Sequence, residues 1–209
     1  PVRFISNRSS GKMGYALAEA ARSRGAEVVL VSGPTALAAP TGVERCSVTT
    51  AEEMRKVIMS RFAWSDTVIM AAAVADFRPT QPSTHKLKKR HRPVTHLDLT
   101  PTEDILQELG ARRTTQFLVG FAAETEDLLA HAREKLHAKH VDLLVANDVS
   151  AAGSGFGSDT NRVVLLGADG QAEEVPLLPK REVADRILDR ILALPTGRRT
   201  TKKPVRFHR

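Results

Sequence analysis

Two spacings of apolar residues alternate along the chain. Met13, Ala16, Leu17 and Ala20 recur at i, i+3, i+4 and i+7 and give way at Gly25, which predicts a helix. Val2 to Ile5, ahead of it, reads as a short buried strand, and AEVVLVSG and VERCSVTT behind it are β-branched runs for two more. Thr50 stands three residues before Glu53, the spacing of a reciprocal N-terminal cap, and opens the helix AEEMRKVIMSRF. DTVIMAAA then makes a fourth strand. Beyond a long polar stretch, LDLTP is extended, TEDILQELG a capped helix, QFLVGFAAE a strand, EDLLAHAREKLHAKH a helix and VDLLVANDVS a strand. RVVLLGADGQAEEVPLL folds back at Ala168-Asp169-Gly170, and KREVADRILDRILAL closes the pattern as an amphipathic helix. Strands alternating with helices predict a parallel sheet covered on both faces. The expectation is an α/β, three-layer Rossmann-like domain with a mainly parallel sheet plus a C-terminal hairpin and helix.

Composition narrows the partner classes. The chain has 209 residues, enough for one well-buried domain, read as residues 1–194. Its longest apolar run, VIMAAAVA, is far short of the ~20 residues that span a bilayer. Six of the seven excess positive charges lie in the tail 195–209, leaving the body at +1. That distribution, with aromatic residues at 4%, argues against a nucleic-acid-binding module, and the tail reads as a flexible basic extension. A single cysteine, Cys46, cannot form an internal disulfide and reads as a structural thiol, so the expected compartment is the cytoplasm. The opening PVRFIS reads like the middle of a longer chain.

The stretch SNRSSGKMG lies between a strand pattern and a helix pattern, where unpaired N–H groups at a helix N-terminus receive phosphate or carboxylate. A Walker loop is excluded, since Ser6 stands where its first glycine belongs and Met13 where its hydroxyl belongs. A dinucleotide-dependent oxidoreductase, the alternative enzyme class, needs G-x-G-x-x-G and an acid after the second strand, but only Gly11-x-x-Gly14 is present and that strand ends VSGP. Serines as a plain helix cap remain the competing reading of the loop. AAAVADF ends a central strand with small residues, either for close backbone approach to a ligand or for tight packing, and Asp76 follows as a ligand acceptor or a turn residue. HKLKKRHR crowds five cations into the polar stretch, as a solvated run or as a flap that neutralises a polyphosphate. The histidines form no metal-ligand pattern.

Taken together and in order, PVRFISNRSSGKMG, AAAVADFRP, HKLKK, TEDIL, VGFAAET, AREKLHAK, LLVANDVS and GFGSDTN resemble the phosphopantothenoylcysteine synthetase family, from residue 1 to about 167. Members are coenzyme A biosynthetic ligases, in most bacteria the C-terminal half of a bifunctional decarboxylase/synthetase. The resemblance implies a homodimer that joins 4′-phosphopantothenate to cysteine with CTP and Mg2+ through an acyl-cytidylate, and a decarboxylase domain in the full-length chain. It puts Lys86 at the position that forms the acyl-cytidylate, Asn7 at the asparagine that converts it, and Arg3 at a nearby functional arginine. Ser9, Ser10, Gly11, Met13, Ala72 and Ala73 fall at substrate positions. Ala71, Asp76, Lys86, Glu103, Asp104, Ile105, Leu106, Phe121, Lys135 and Lys139 fall at CTP positions. Whether the SSGKMG loop takes the phosphate of phosphopantothenate or of the nucleotide stays open. KLKK replaces the family's more common KIKK, and the RHRPVTH that follows is unusually basic.

Overall fold

The computed structural model describes residues 4–83, 85, 96–124, 128–148 and 157–194. Within them run α1 (Lys12–Ser23), β1 (Val29–Ser32), β2 (Glu44–Ser47), α2 (Ala51–Phe62), β3 (Thr67–Met70), β4 (Phe77–Pro79) and β5 (Leu99–Pro101). α3 (Ile105–Arg112), β6 (Phe117–Glu124), α4 (Leu128–Ala138), β7 (Leu143–Asp148), β8 (Thr160–Gly167), β9 (Ala172–Pro179) and α5 (Lys180–Ala193) complete the order. Thr50 and Glu53 form the reciprocal cap that their spacing predicts, and the hairpin turns at the expected residues, with Gly170 at φ +80°. Lys86, Arg3 and the basic tail lie outside the described residues.

Strand period 2 divides the core into two layers. Val119 of β6, Leu143 and Val145 of β7 and Val163 and Leu165 of β8 pack with Leu17 and Ala20 of α1 and Val183, Ile187 and Ile191 of α5. The intervening Leu118, Leu144 and Ala146 point the other way, onto Met54 of α2, Ile105 and Leu109 of α3 and Leu136 of α4. The main sheet has the order β3-β6-β7-β8-β9, parallel as far as β7 and antiparallel through the hairpin. β1 and β2 form a separate parallel pair, and β4 and β5 a separate antiparallel one.

One expectation is corrected. A buried strand is expected from Val2 to Ile5; Val2 and Arg3 lie outside the described residues, while residues 4–10 carry no strand, Phe4 is 82% exposed and Ile5 45% exposed. An apolar run makes a strand only where a ladder accepts it, and among the described residues no ladder takes Phe4 or Ile5.

Candidate active site

The carboxyl ends of the parallel strands open on one cavity of about 2790 Å3. All the described sequence candidates line it: Asn7, Ser9, Ser10, Gly11 and Met13; Ala71, Ala72, Ala73 and Asp76; Glu103, Asp104, Ile105 and Leu106; and Phe121, Lys135 and Lys139. A space several times the roughly 300–1,000 Å3 of a small-molecule pocket does not by itself make these one site. Their hydrogen bonds divide them into two banks joined by a bridge.

The first bank is the head of α1. Gly11 is its N-cap, at φ +77°, a left-handed conformation that favours glycine, and no side chain bonds the free amides from that position. Ser10 Oγ reaches only the Lys12 amide, at 3.5 Å, and Ser9 Oγ accepts from the Gly11 amide at 3.3 Å. The first intrahelical bond runs from Tyr15 N to Gly11 O, so the amides of Met13 and Gly14 have no intrahelical acceptor. The first turn holds no acid, whereas that of α2 holds Glu52 and Glu53. An anion therefore meets oriented donors and no acid from the helix's own first turn there. Thr35 Oγ1 donates to Ser10 O at 3.1 Å and fixes the loop.

Lys12 is committed elsewhere. Its ammonium donates to Asp159 at 2.6 Å and to Gly157 O at 3.0 Å, and the bond from Lys12 holds the Asp159 carboxyl below its ordinary range. Beside it, Lys180 is buried and donates to Ser158 O at 2.5 Å. Burial pushes its ammonium below the usual lysine range, and the charge of Lys12 adds to this. The SSGKMG and GFGSD motifs are thus bolted together across 147 residues, a tie that neither motif advertises by itself.

The second bank is the head of α3. Asp104 caps it, accepting the Gln107 amide at 3.0 Å, and also accepts from Lys139 at 2.6 Å. Burial acts to raise this carboxyl, but Lys139 and the helix amides outweigh burial and hold it below the usual carboxylate range. Ile105 and Leu106 turn their side chains into the core, at 3% and 9% exposed, so only their backbone can meet a ligand. The pair forms because α3 runs close to the end of α4: a Cβ on Gly110 would collide with the Lys139 carbonyl oxygen. Lys139 follows the last turn of α4, its amide bonded to Lys135 O at 3.0 Å, so both lysines face the cavity as their four-residue spacing predicts.

The bridge is residues 71–76. β3 ends at Met70, and the alanines leave the ladder to line the cavity, with Ala71 also packed against the core. Asn7 Nδ2 donates to Val74 O at 3.1 Å, and Thr102 N donates to Asp76 O at 2.8 Å. One bond ties the bridge to the α1 bank and the other to the α3 bank. At the cavity floor Asn161, 1% exposed, donates to Asn147 Oδ1 at 3.3 Å. These two asparagines were absent from the sequence candidates, although ANDVS and SDTN were both recognised; an Asn in each of two such motifs was the available signal.

Comparison with known proteins bears on this arrangement. Residues 1–194 match the family described as DNA/pantothenate metabolism flavoprotein C-terminal domain. The coenzyme A biosynthesis bifunctional protein CoaBC of Bacillus subtilis is 51% identical over 203 residues, covering 96% of this chain and 50% of that one. The chain thus spans about half the length of the curated relatives it matches. The crystal structure of a CoaBC C-terminal domain is 42% identical, with a TM-score of 0.77, over 91% of this chain and 86% of that one. A Cab2 mutant solved in complex with phosphopantothenate-cysteine shares the fold at 18% identity, with a TM-score of 0.73 over 90% of this chain and 80% of that one. With its two-bank cavity at the carboxyl ends of a parallel sheet, the chain belongs to the DNA/pantothenate metabolism flavoprotein C-terminal domain family.

Proposed function

We propose that the protein is a ligase that joins 4′-phosphopantothenate to cysteine in coenzyme A biosynthesis, consuming CTP. The observation that carries this reading is the hydrogen-bonded bridge of residues 71–76, tied by Asn7 to an anion-receiving helix end and by Thr102 to the bank where Lys139 meets Asp104. The names of the bifunctional relatives supply the pathway. In the full-length protein a decarboxylase domain precedes this one, and two copies form a homodimer.

The ligand chemistry divides between the banks. The amides of Met13 and Gly14, with Ser9 and Ser10 and the left-handed turn at Gly11, receive a phosphate, while Lys135 and Lys139 face the nucleotide phosphates. Main-chain groups of Ala71 to Ala73 and around Phe121 read the flat base. Mg2+ takes one or two carboxylates together with substrate phosphates; Asp76 and Glu103 line the cavity and fit that role, whereas Asp104 is engaged with Lys139. When bound, the ion offsets the charge of the triphosphate. The pantothenate carboxylate attacks the α-phosphorus and pyrophosphate leaves; the cysteine amine then attacks the acyl carbon, CMP leaves, and the amine proton passes to solvent. Lys86 stabilises the charge of the first step. The Asn7 amide, steered by Val74 O, donates to the acyl oxygen in the second. Positioned donors of this kind are worth about 10²–10³ in rate each.

A coupled assay tests the assignment. With phosphopantothenate and CTP, Lys86→Gln lowers pyrophosphate release by about 10²-fold or more, and unchanged release overturns its role. Asn7→Asp releases pyrophosphate but accumulates the acyl-nucleotide when cysteine is present; normal turnover reduces Asn7 to a tether for Val74. Substituting ATP for CTP should abolish the amide product, and equal rates overturn the nucleotide assignment.

A further inference from the structure

Three consecutive carbonyls of the GFGSD motif accept hydrogen bonds from two lysines. Lys12 Nζ donates to Gly157 O at 3.0 Å and to the Asp159 carboxylate at 2.6 Å. Lys180 Nζ donates to Ser158 O at 2.5 Å, and the Lys180 backbone N–H donates to Asp159 O at 2.9 Å. Packing does little to hold this strap. A Cβ on Gly157, at φ +90°, would meet nothing within 4 Å, and the Asp159 side chain is 88% exposed. A second cavity of about 800 Å3 opens on Lys12, Asp159, Pro179 and Lys180. Hydrogen bonds to the two lysines therefore set the position of residues 157–159.

Both lysines stand where local electrostatics disfavour them. Lys12 is the first residue of α1 and Lys180 the first of α5, each at the positive end of a helix dipole and without a side-chain cap. Lys180 is also buried, and taking an ammonium out of water costs free energy even when it is hydrogen-bonded. The two charges oppose each other, since Lys12 adds to the depression of the Lys180 ammonium. The head of α2, capped by Thr50 and carrying Glu52 and Glu53, shows the arrangement that helix stability favours. What the lysines share instead is the anion-receiving bank: both line the main cavity with Ser9, Ser10, Gly11 and Met13.

The strap carries position from the core to that bank. α5 is anchored through Val183 and Ile187, both 0% exposed, so the Lys180 side chain starts from a fixed point. Lys12 lies between the left-handed Gly11 and the amides of Met13 and Gly14, so holding its side chain also holds the first turn of α1. At the far end of α1, Arg24 pairs with Asp185 and Asp189 of α5. The helix is thus pinned to α5 at both ends, and only the pin at its head passes through charged groups that line the main cavity.

We propose that Lys180 is a positioning residue for the ligase reaction: through the 157–159 strap and Lys12 it holds the head of α1 in place to receive a substrate phosphate. The inference rests on the phosphate-receiving role assigned to that helix end. Loss of Lys180 weakens capture of the one substrate whose phosphate α1 takes and spares the chemistry at the acyl carbon, so it also tells phosphopantothenate from nucleotide as the ligand of the SSGKMG loop.

Calorimetric titration of the full chain with 4′-phosphopantothenate and, separately, with CTP, alongside steady-state ligase kinetics, tests this. Lys180→Met keeps most of the length and apolar stem of the side chain and removes its charge. It should raise Kd and KM for one of the two phosphate-bearing substrates by about tenfold, with the other substrate's constants and kcat changed by less than about twofold. Asp159→Ala, at an exposed position where an ion pair adds little stability, should raise the same constants by about threefold. Because both changes act through one strap, the double variant should bind no more weakly than Lys180→Met alone, within about twofold. Constants that stay at the parent's values, an equal rise for both substrates, a fall in kcat at constant KM, or effects that multiply in the double variant each overturn the proposal, whatever happens to the melting temperature. If Lys180→Met does not fold, Asp159→Ala decides by the same criteria. A parent that binds both substrates beside variants that bind equally well overturns the role of Lys180 alone; a parent that binds neither overturns the assignment of the α1 head as well.

Discussion

At one end of the sheet, β7 and β8 are laddered on both edges, β9 pairs with β8, and α5 packs on them with Val183, Ala184 and Ile187 at 0% exposed. At the other, β1 and β3 have equally apolar sequences and half-buried side chains. The difference lies in pairing rather than in composition. An apolar strand gains its full burial only when both ladders and both covering layers are present, so identical local patterns give unequal energetics. Chemistry follows the same division: the closed end supplies a rigid platform, and the open end supplies the cavity.

The largest expected effect probes that contrast directly. Leu144→Ala at the closed end removes a side chain 1% exposed and should cost about 2–5 kcal/mol. Ile69→Ala at the open edge should cost less than about 1 kcal/mol in the 209-residue chain, because the cavity already touches it. Urea midpoints at constant m-value measure both, and equal costs would erase the distinction between the two ends.

A smaller effect is expected where the closed core sets the site. Gly110→Ala forces α3 away from the Lys139 carbonyl and should destabilise by about 1–3 kcal/mol. The displacement also loosens Lys139 from Asp104, so the KM for nucleotide should rise more than kcat falls. A variant with lost stability and unchanged KM would show that the α3–α4 contact serves packing alone.

The contrast also explains what could be read from the sequence. The capped α2, the β8–β9 turn and the amphipathic α1 and α5 are local events, each settled within about a dozen residues, and their patterns predict them. Which strands pair is decided between segments far apart, so Phe4 and Ile5 sat in an apolar run with no sign that, among the described residues, no ladder would take them. Candidate residues were legible as motifs, and the described ones all reach one cavity. The bonds that organise them were not: Lys12 to Asp159, Asn7 to Val74 and Asp104 to Lys139 join residues 147, 67 and 35 apart. The two asparagines at the floor were hidden for the same reason.

The smallest effect concerns Asp104, where a cap and an ion pair share one carboxylate. Its pKa in the folded protein is below the ordinary 3.8, so the stability it adds is present above that value and is lost as pH falls through the lower folded-state value. Asn keeps the cap, since its side-chain oxygen still accepts the Gln107 amide, but it removes the charge facing Lys139. With both partners partly exposed, Asp104→Asn should cost only about 0.2–1 kcal/mol at neutral pH. The gap between variant and parent should close in acid below pH 3.8 and shrink in high salt. Denaturation followed across pH reads this directly: a deficit that persists undiminished in acid would assign the loss to the cap. The open bank would then be held by helix geometry rather than by charge.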